Sequence, residues 1–154
     1  MPLKIGDKAP DFTLPTDGGG TLSLKSLRGK KVVLYFYPKD MTPGCTKEAC
    51  DFRDAYAGLR RKKVEVIGVS KDGPARHDAF KEKYALPFLL ASDEKGETIA
   101  AYGVWKKKSL YGRSFMGIER STFLIDAKGA LRGIWRKVKV AGHVTEIQAA
   151  IDAL

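Results

Sequence analysis

Two kinds of apolar pattern follow one another along the first half of this chain: runs of apolar residues, and apolar residues at helical spacing. Residues 32–37 form a continuous apolar run rich in β-branched and aromatic side chains, and residues 64–70 are largely apolar and rich in β-branched ones. Both patterns are typical of strands buried on both faces. Between these runs, apolar residues recur at helical spacing and predict a helix from position 45 to about 62. These residues are Ala49, Phe52, Tyr56 and Leu59.

The rest of the chain predicts shorter elements around the same sheet. They are a helix at 74–84, a short strand at 87–90, a short helix at 94–102, strands at 121–126 and 131–135, and a helix from about 142. The first 30 residues, rich in Pro and Gly, predict extended segments and short strands. Strand–helix alternation followed by a late hairpin predicts an α/β protein of thioredoxin-like layout, with a mixed central β-sheet flanked by helices on both faces. A length of 154 residues predicts one domain, 1–154.

The composition is that of a globular protein with a basic surface. Lys and Arg number 28, and the formal net charge is +10. The densest basic groups, 60–63 and 106–108, are short and lack interleaved aromatics, so we interpret them as solvated surface and expect no nucleic-acid partner. No stretch approaches the roughly 20 apolar residues of a membrane span, and no secretion signal is evident. We therefore expect a cytoplasmic protein without membrane contact.

Cys45 and Cys50 are the only cysteines. A bridge between them would close a very small loop and add little stability, which favours a redox or nucleophilic role in a reducing compartment. A structural zinc site is disfavoured because it needs four Cys or His ligands, and His77 and His143 are isolated in sequence. No metal is expected. His77 is expected at the surface, and His143 near the start of the last helix.

Cys45 is the main candidate for chemistry because it lies where the carboxyl end of a strand meets the next helix. A helix start offers unpaired N–H groups and the positive end of the helix dipole, and both stabilise a thiolate. Thr42, three residues earlier, is expected to contact a substrate oxygen above the sulfur, to cap the helix, or to do both.

The spacing of the two cysteines makes a conformational prediction. Residues five apart in a regular helix have Cα atoms separated by roughly 8–9 Å, whereas a disulfide needs about 4.4–6.8 Å. If Cys45 and Cys50 bond to each other, the start of the helix must unwind.

The pattern Pro-x-x-x-Thr-x-x-Cys, formed by Pro38, Thr42 and Cys45, resembles the active-site motif of the peroxiredoxins. The resemblance covers almost the whole chain: residues 6–15 are similar to the family's amino-terminal segment, and residues 35–46 resemble the bacterioferritin comigratory protein (PrxQ) branch. Residues 121–126 are similar to the strand that follows the second basic residue of the family's site, which gives that role to Arg120.

This resemblance implies a role for each motif residue. Pro38 shields the pocket, Thr42 and Arg120 bind the peroxide, and the N–H groups of Gly44 and Cys45 hold the oxygen during displacement. Fixed donors and a permanent cation suit this reaction because negative charge moves onto the departing oxygen.

Glu48 matches a position often taken by a polar partner of the pocket, although a solvated helix residue is the alternative. The resemblance also implies the reaction cycle. Cys45 attacks hydrogen peroxide or an organic hydroperoxide and becomes a sulfenic acid, Cys50 resolves it as an intramolecular disulfide, and thioredoxin or glutaredoxin reduces the pair. No metal, haem or flavin is implied, and a monomer is expected because resolution needs no partner subunit.

Two other functions remain open from the sequence. A thiol–disulfide oxidoreductase of similar fold typically carries Cys-x-x-Cys, whereas four residues separate this pair. A basic nucleic-acid-binding module would carry the cysteines only incidentally.

Overall fold

Strands and helices alternate through the first two thirds of the chain, and two hairpins and a last helix follow. A computed structural model describes residues 2–154. Its elements are β1 (Thr13–Pro15), β2 (Thr21–Ser23), β3 (Lys31–Phe36), α1 (Pro43–Arg61), β4 (Val64–Ser70), α2 (Pro74–Tyr84), β5 (Leu89–Ser92), α3 (Glu97–Ala101), β6 (Trp105–Leu110), β7 (Arg113–Ile118), β8 (Ser121–Ile125), β9 (Leu131–Trp135) and α4 (His143–Asp152). Short 3-10 helices lie at Asp17–Gly19 and Leu24–Leu27.

The central sheet has five strands in the order β5-β4-β3-β8-β9. β3 pairs in parallel with β4 and antiparallel with β8, and β9 pairs antiparallel with β8 at the edge. After its first residue, β3 is buried throughout, as its continuous apolar run predicts. The expected mixed sheet is confirmed, and its central strand leads directly to the candidate nucleophile.

Helices cover both faces of this sheet. On one face, β3 side chains such as Val33 and Tyr35 pack with apolar residues of α1, α2 and α4. On the other face, Leu34 and its neighbours pack with α3 and with the small β1–β2 sheet. This two-sided cover confirms the predicted layout and buries the start of α1 against the sheet.

Most element bounds agree with the periodicity, and the differences have local causes. β4 and α2 match their predicted ranges. α1 begins two residues earlier than predicted because Pro43, which lacks an N–H, suits the first helical turn. The short elements β5 and α3 begin two and three residues later than predicted.

Two features of the surface differ from the predictions. His77 is fully buried, because it shares the inward face of α2 with Phe80 while its neighbours Arg76 and Asp78 are exposed. The expectation of a surface His77 is therefore wrong. The antiparallel pair β6–β7 was not predicted, because the run of lysines within β6 hides its strand pattern.

No helix among residues 2–154 is long and apolar enough to cross a membrane. Over the same residues, no group of three or more His, Cys, Asp or Glu side chains is arranged to hold a metal ion.

Candidate active site

The loop 37–42 carries the chain from the centre of the sheet to the first turn of α1. At its start, the Tyr37 N–H donates to the carbonyl of Val69 on β4, which continues the pairing of β3 beyond Phe36. At its end, Thr42 occupies the N-cap position of α1, so Cys45 is the third residue of the helix. The unused N–H groups of that first turn and the helix dipole both favour negative charge at this position.

Cys45 is buried, with only 1% of its surface exposed. The Nη2 group of Arg120 donates to its Sγ at 3.3 Å, and this contact joins residues 75 positions apart in the chain. Arg120 stands immediately before β8, the antiparallel neighbour of β3. The sheet therefore places a permanent cation beside the thiol at the start of α1.

Glu48 completes a buried trio with Cys45 and Arg120. Its Oε1 accepts from Arg120 Nη1 at 2.7 Å, and its side chain is fully buried. The alternative of a solvated helix Glu is therefore wrong. Positions 45 and 48 lie three apart, so they share one face of α1 and can both reach Arg120.

Burial and ion pairing have opposing effects on the charges of Glu48 and Arg120. Burial raises the pKa of Glu48 to about 7, although the charge and hydrogen bond of Arg120 act to lower it. Burial also opposes the charge of Arg120, but Glu48 and Cys45 outweigh it and raise the pKa of the guanidinium. Arg120 thus stays charged while Glu48 exchanges its proton near neutral pH.

Gly44 leaves room for this guanidinium. A Cβ atom at position 44 would lie 3.1 Å from Arg120 Nη2, closer than ordinary van der Waals contact. The absence of a side chain at Gly44 thus allows Arg120 to reach Cys45. Pro38, at the other end of the loop, is half-buried.

The hydroxyl of Thr42 donates to the carbonyl of Lys39 at 2.8 Å. It makes no capping hydrogen bond to the helix, so the capping role considered for Thr42 is not adopted. Because its proton is used, the lone pairs of its Oγ1 can still accept a hydrogen bond from a bound molecule.

Cys50 lies in the second turn of α1 and is half-buried, and both cysteines are free thiols. α1 runs without a break from Pro43 to Arg61. Its regular geometry separates the two Cα atoms by roughly 8–9 Å, beyond the reach of a disulfide.

Lys108, on β6, lies near the site, and sequence reasoning missed it. Burial and the nearby charge of Arg120 lower its pKa, while Cys45 and Glu119 act in the opposite direction. The side chain of Lys108 is partly buried and lies over Gly117 of β7. Lys106 and Lys107 are exposed, whereas Lys108 is only partly exposed. A run of three lysines gives no signal that would single out Lys108.

A thioredoxin-like sheet with a buried, arginine-bonded thiol at the start of a helix defines a thiol-dependent redox protein. Residues 5–134 match the AhpC/TSA family. The putative peroxiredoxin bcp of Coxiella burnetii is 55% identical over 96% of this chain and 97% of its own length. The peroxiredoxin Bcp of Bacillus subtilis is 54% identical over 95% of this chain and 93% of its own.

Solved structures give the same relationship. A mutant of the PrxQ of Xylella fastidiosa superimposes with a TM-score of 0.93 at 35% identity, covering 98% of this chain and 96% of that one. The bacterioferritin comigratory protein of Xanthomonas campestris, studied for its alkyl peroxide reduction activity, gives a TM-score of 0.88 at 41% identity, over 92% and 90% of the two chains. This chain belongs to the AhpC/TSA family and, within it, to the Bcp/PrxQ peroxiredoxins, which are thiol peroxidases.

Replacing Gly44 with Ala should displace the Arg120 guanidinium and slow the oxidation of Cys45 by peroxide. We expect a loss of about tenfold in the second-order rate constant, as for weakening one charge-assisted hydrogen bond. Gly58→Ala in the same helix is the matched control, because its Cβ would make only an ordinary contact of 3.7 Å with Arg61. The control should leave the rate unchanged. Stopped-flow measurement of both variants checks the prediction, and equal rates for both would contradict it.

Glu48→Gln should remove one component of the pH dependence. The variant keeps a neutral acceptor for Arg120, whereas Glu48 ionises as the pH rises through about 7. The negative charge of Glu48 then offsets the positive charge of Arg120, and it disfavours negative charge on both the thiolate and the departing oxygen. We expect the ratio of parent to variant rate constants to be close to one at acidic pH and to fall as the pH rises through about 7. A ratio that is flat or rises with pH would contradict this role.

Proposed function

We propose that this peroxiredoxin reduces hydrogen peroxide and organic hydroperoxides with Cys45 as the peroxidatic thiolate. The observation that carries the proposal is the contact of Arg120 with Cys45 Sγ at 3.3 Å, while the same guanidinium is held by Glu48 at 2.7 Å. Support for organic substrates comes from the alkyl peroxide reduction activity of the Xanthomonas campestris relative.

In the proposed first step, the Cys45 thiolate attacks the nearer oxygen of the peroxide. An S–O bond forms, the O–O bond breaks, and the departing hydroxide or alkoxide takes up a proton and leaves as water or an alcohol. Cys45 is left as a sulfenic acid. Thr42 Oγ1 accepts the hydroxyl hydrogen of the peroxide, while Arg120 and the N–H groups of Gly44 and Cys45 stabilise the charge on the oxygens.

Pro38 and Glu48 support this pocket without bonding to the reacting atoms. Pro38 limits access of water to the thiolate from the side of the loop. Glu48 fixes the direction of the Arg120 guanidinium, because the other end of its fork is held by the buried carboxyl group. The hydrogen bond between Glu48 and Arg120 supports the role of Glu48, and the resemblance to the peroxiredoxin motif supports the role of Pro38.

In the proposed second step, Cys50 condenses with the sulfenic acid. A Cys45–Cys50 disulfide forms and one water leaves. Because both residues lie in the regular part of α1, the first turns of the helix unwind in this step. An external dithiol, thioredoxin or glutaredoxin, then reduces the bridge to two thiols and becomes a disulfide itself.

The setting of this cycle is also part of the proposal. Residues 1–154 act as one domain, supported by a family match over 5–134 and by α4, which packs on the same core as α1. The protein acts as a monomer, since Cys50 of the same chain suffices for resolution. It works in the cytoplasm, where dithiol reductants are kept reduced.

Cys45→Ser and Cys50→Ser variants test the two steps separately. We expect the first variant to consume no peroxide above background. The second should form the sulfenic acid and then fail to turn over, even with thioredoxin or glutaredoxin supplied, because no disulfide can form. Stopped-flow peroxide consumption and intact mass measure these outcomes. Peroxide consumption by Cys45→Ser at the parent rate would refute the assignment, and multiple turnovers by Cys50→Ser would refute the resolving role.

A further inference from the structure

A buried polar network lies beneath the loop that leads to Cys45. Its centre is Asp40, whose side chain is only 1% exposed. The Tyr37 hydroxyl donates to Asp40 Oδ1, and Nδ1 of His77 lies 2.6 Å from Asp40 Oδ2. Tyr37 and His77 are both fully buried. None of these side chains has a part in the peroxide chemistry described above.

His77 connects the loop to β5, an edge strand of the central sheet. Its Nε2 lies 3.1 Å from the carbonyl oxygen of Ala91 on β5. A carbonyl can only accept, so Nε2 carries a hydrogen and donates it. Nδ1 and the Asp40 carboxyl group share a hydrogen at the other side of the ring. His77, on α2, thereby links the active-site loop to β5.

The backbone of Asp40 is held as well. Its N–H donates to Asp72 Oδ2 at 2.7 Å, and the same carboxylate oxygen accepts from the hydroxyl of Ser70 at the end of β4. Asp72 also forms an ion pair with Arg76. The side chain of Asp40 is therefore anchored to α2 through His77, and its main chain is anchored to the segment that joins β4 to α2.

The residue after this anchor is strained. Met41 has φ of 68°, in the left-handed region that residues with a Cβ rarely adopt. Such a conformation persists only where its surroundings enforce it. Asp40 lies on one side of Met41, and Thr42 with the first turn of α1 follows on the other. The anchor therefore holds a bent loop in the shape that positions Thr42 and Cys45.

We propose that His77 is a positioning residue that, through Asp40, holds the loop and the first turn of α1 in the peroxide-reactive arrangement and limits how readily that turn unwinds. This inference rests on the proposed Cys45–Cys50 cycle. The anchor lies directly before the segment that has to unwind, and releasing it allows the strained Met41 to relax. A weaker anchor thus disfavours the folded site and favours the unwound form.

Opposite effects on the two chemical steps follow. Attack on peroxide needs the folded site, so a weaker anchor slows the oxidation of Cys45. Disulfide formation needs the unwound helix, so a weaker anchor speeds resolution by Cys50. A second peroxide molecule can convert the sulfenic acid to a sulfinic acid while it waits for Cys50. Faster resolution therefore lowers the fraction of enzyme lost to overoxidation.

A matched pair of substitutions separates the two hydrogen bonds of His77. In His77→Asn the side-chain amide can occupy the place of Nδ1 and still donate to Asp40. In His77→Gln it can occupy the place of Nε2, so it keeps the contact with Ala91 but leaves Asp40 without this partner. Tyr37→Phe removes the other side-chain partner of Asp40 and serves as a second, milder variant that keeps the shape of the core.

The measurements are the second-order rate of Cys45 oxidation, the first-order rate of disulfide formation, the sulfinic acid fraction by mass, and stability in urea. We expect His77→Gln to lower the first rate and raise the second, each by about tenfold, as for the loss of a hydrogen bond to a charged group. Its sulfinic fraction should fall. Tyr37→Phe should change all three in the same directions, and His77→Asn should stay within about twofold of the parent.

Several outcomes would overturn the inference. One is that His77→Gln and Tyr37→Phe keep both parental rates. Another is that His77→Asn and His77→Gln change equally, which would make His77 a packing residue only. If His77→Gln lowers the stability in urea but leaves both rates of the folded protein unchanged, His77 is again a packing residue only. If the parent protein forms no Cys45–Cys50 disulfide, the proposed cycle itself fails. If the parent forms the disulfide but the variants keep its rates, only the inference about His77 fails.

Discussion

The geometry of α1 determines how close the two cysteines of this site can come to each other. Cys45 and Cys50 lie in the first two turns of α1, which is continuous from Pro43 to Arg61. A helix holds residues five apart too far from each other for a disulfide. The arrangement that presents Cys45 to peroxide therefore cannot also complete the proposed cycle. The proposed cycle therefore requires two conformations of the same segment, one for each of its two steps.

The buried trio and the anchored loop stabilise the first of these conformations. Arg120 reaches Cys45 because the sheet brings β8 next to β3 and because Gly44 has no side chain in the way. Glu48 keeps the guanidinium in place and titrates near neutral pH. These contacts end when the first turn of α1 unwinds, so they add to the free energy that resolution has to overcome. In the proposed cycle, turnover thus depends on a site that is well ordered but not too stable.

Much of this arrangement could be predicted from the sequence where a local pattern was strong. Apolar runs predicted β3 and β4, the spacing of apolar residues predicted α1, and Pro74 marked the start of α2, with bounds close to those observed. The position of Cys45 between a strand and a helix made it the candidate nucleophile before any resemblance was considered. These features depend on residues close together in the chain, which periodicity describes well.

Features that depend on residues far apart in the chain were harder to predict from the sequence. Arg120 is one of 28 basic residues, and only the resemblance to the peroxiredoxins distinguished it, since its contact with Cys45 joins residues 75 positions apart in the chain. His77 was expected at the surface because its neighbours are charged, yet α2 turns it towards Asp40 of the loop. Lys108 lies in a hairpin whose pairing its own lysines conceal. In each case the tertiary fold, and not the local sequence, decides the role of the side chain.

Amide hydrogen exchange of the reduced and peroxide-oxidised protein tests the central claim most directly. A loss of two hydrogens in the intact mass first establishes that the Cys45–Cys50 bridge has formed. Exchange is then followed by mass spectrometry in peptides from α1 and from the sheet. The account predicts that oxidation removes protection from the first two turns of α1, over 45–50, while the later turns towards Arg61 and the strands β3 and β4 stay protected. A bridged protein in which the start of α1 is as protected as in the reduced form would contradict it.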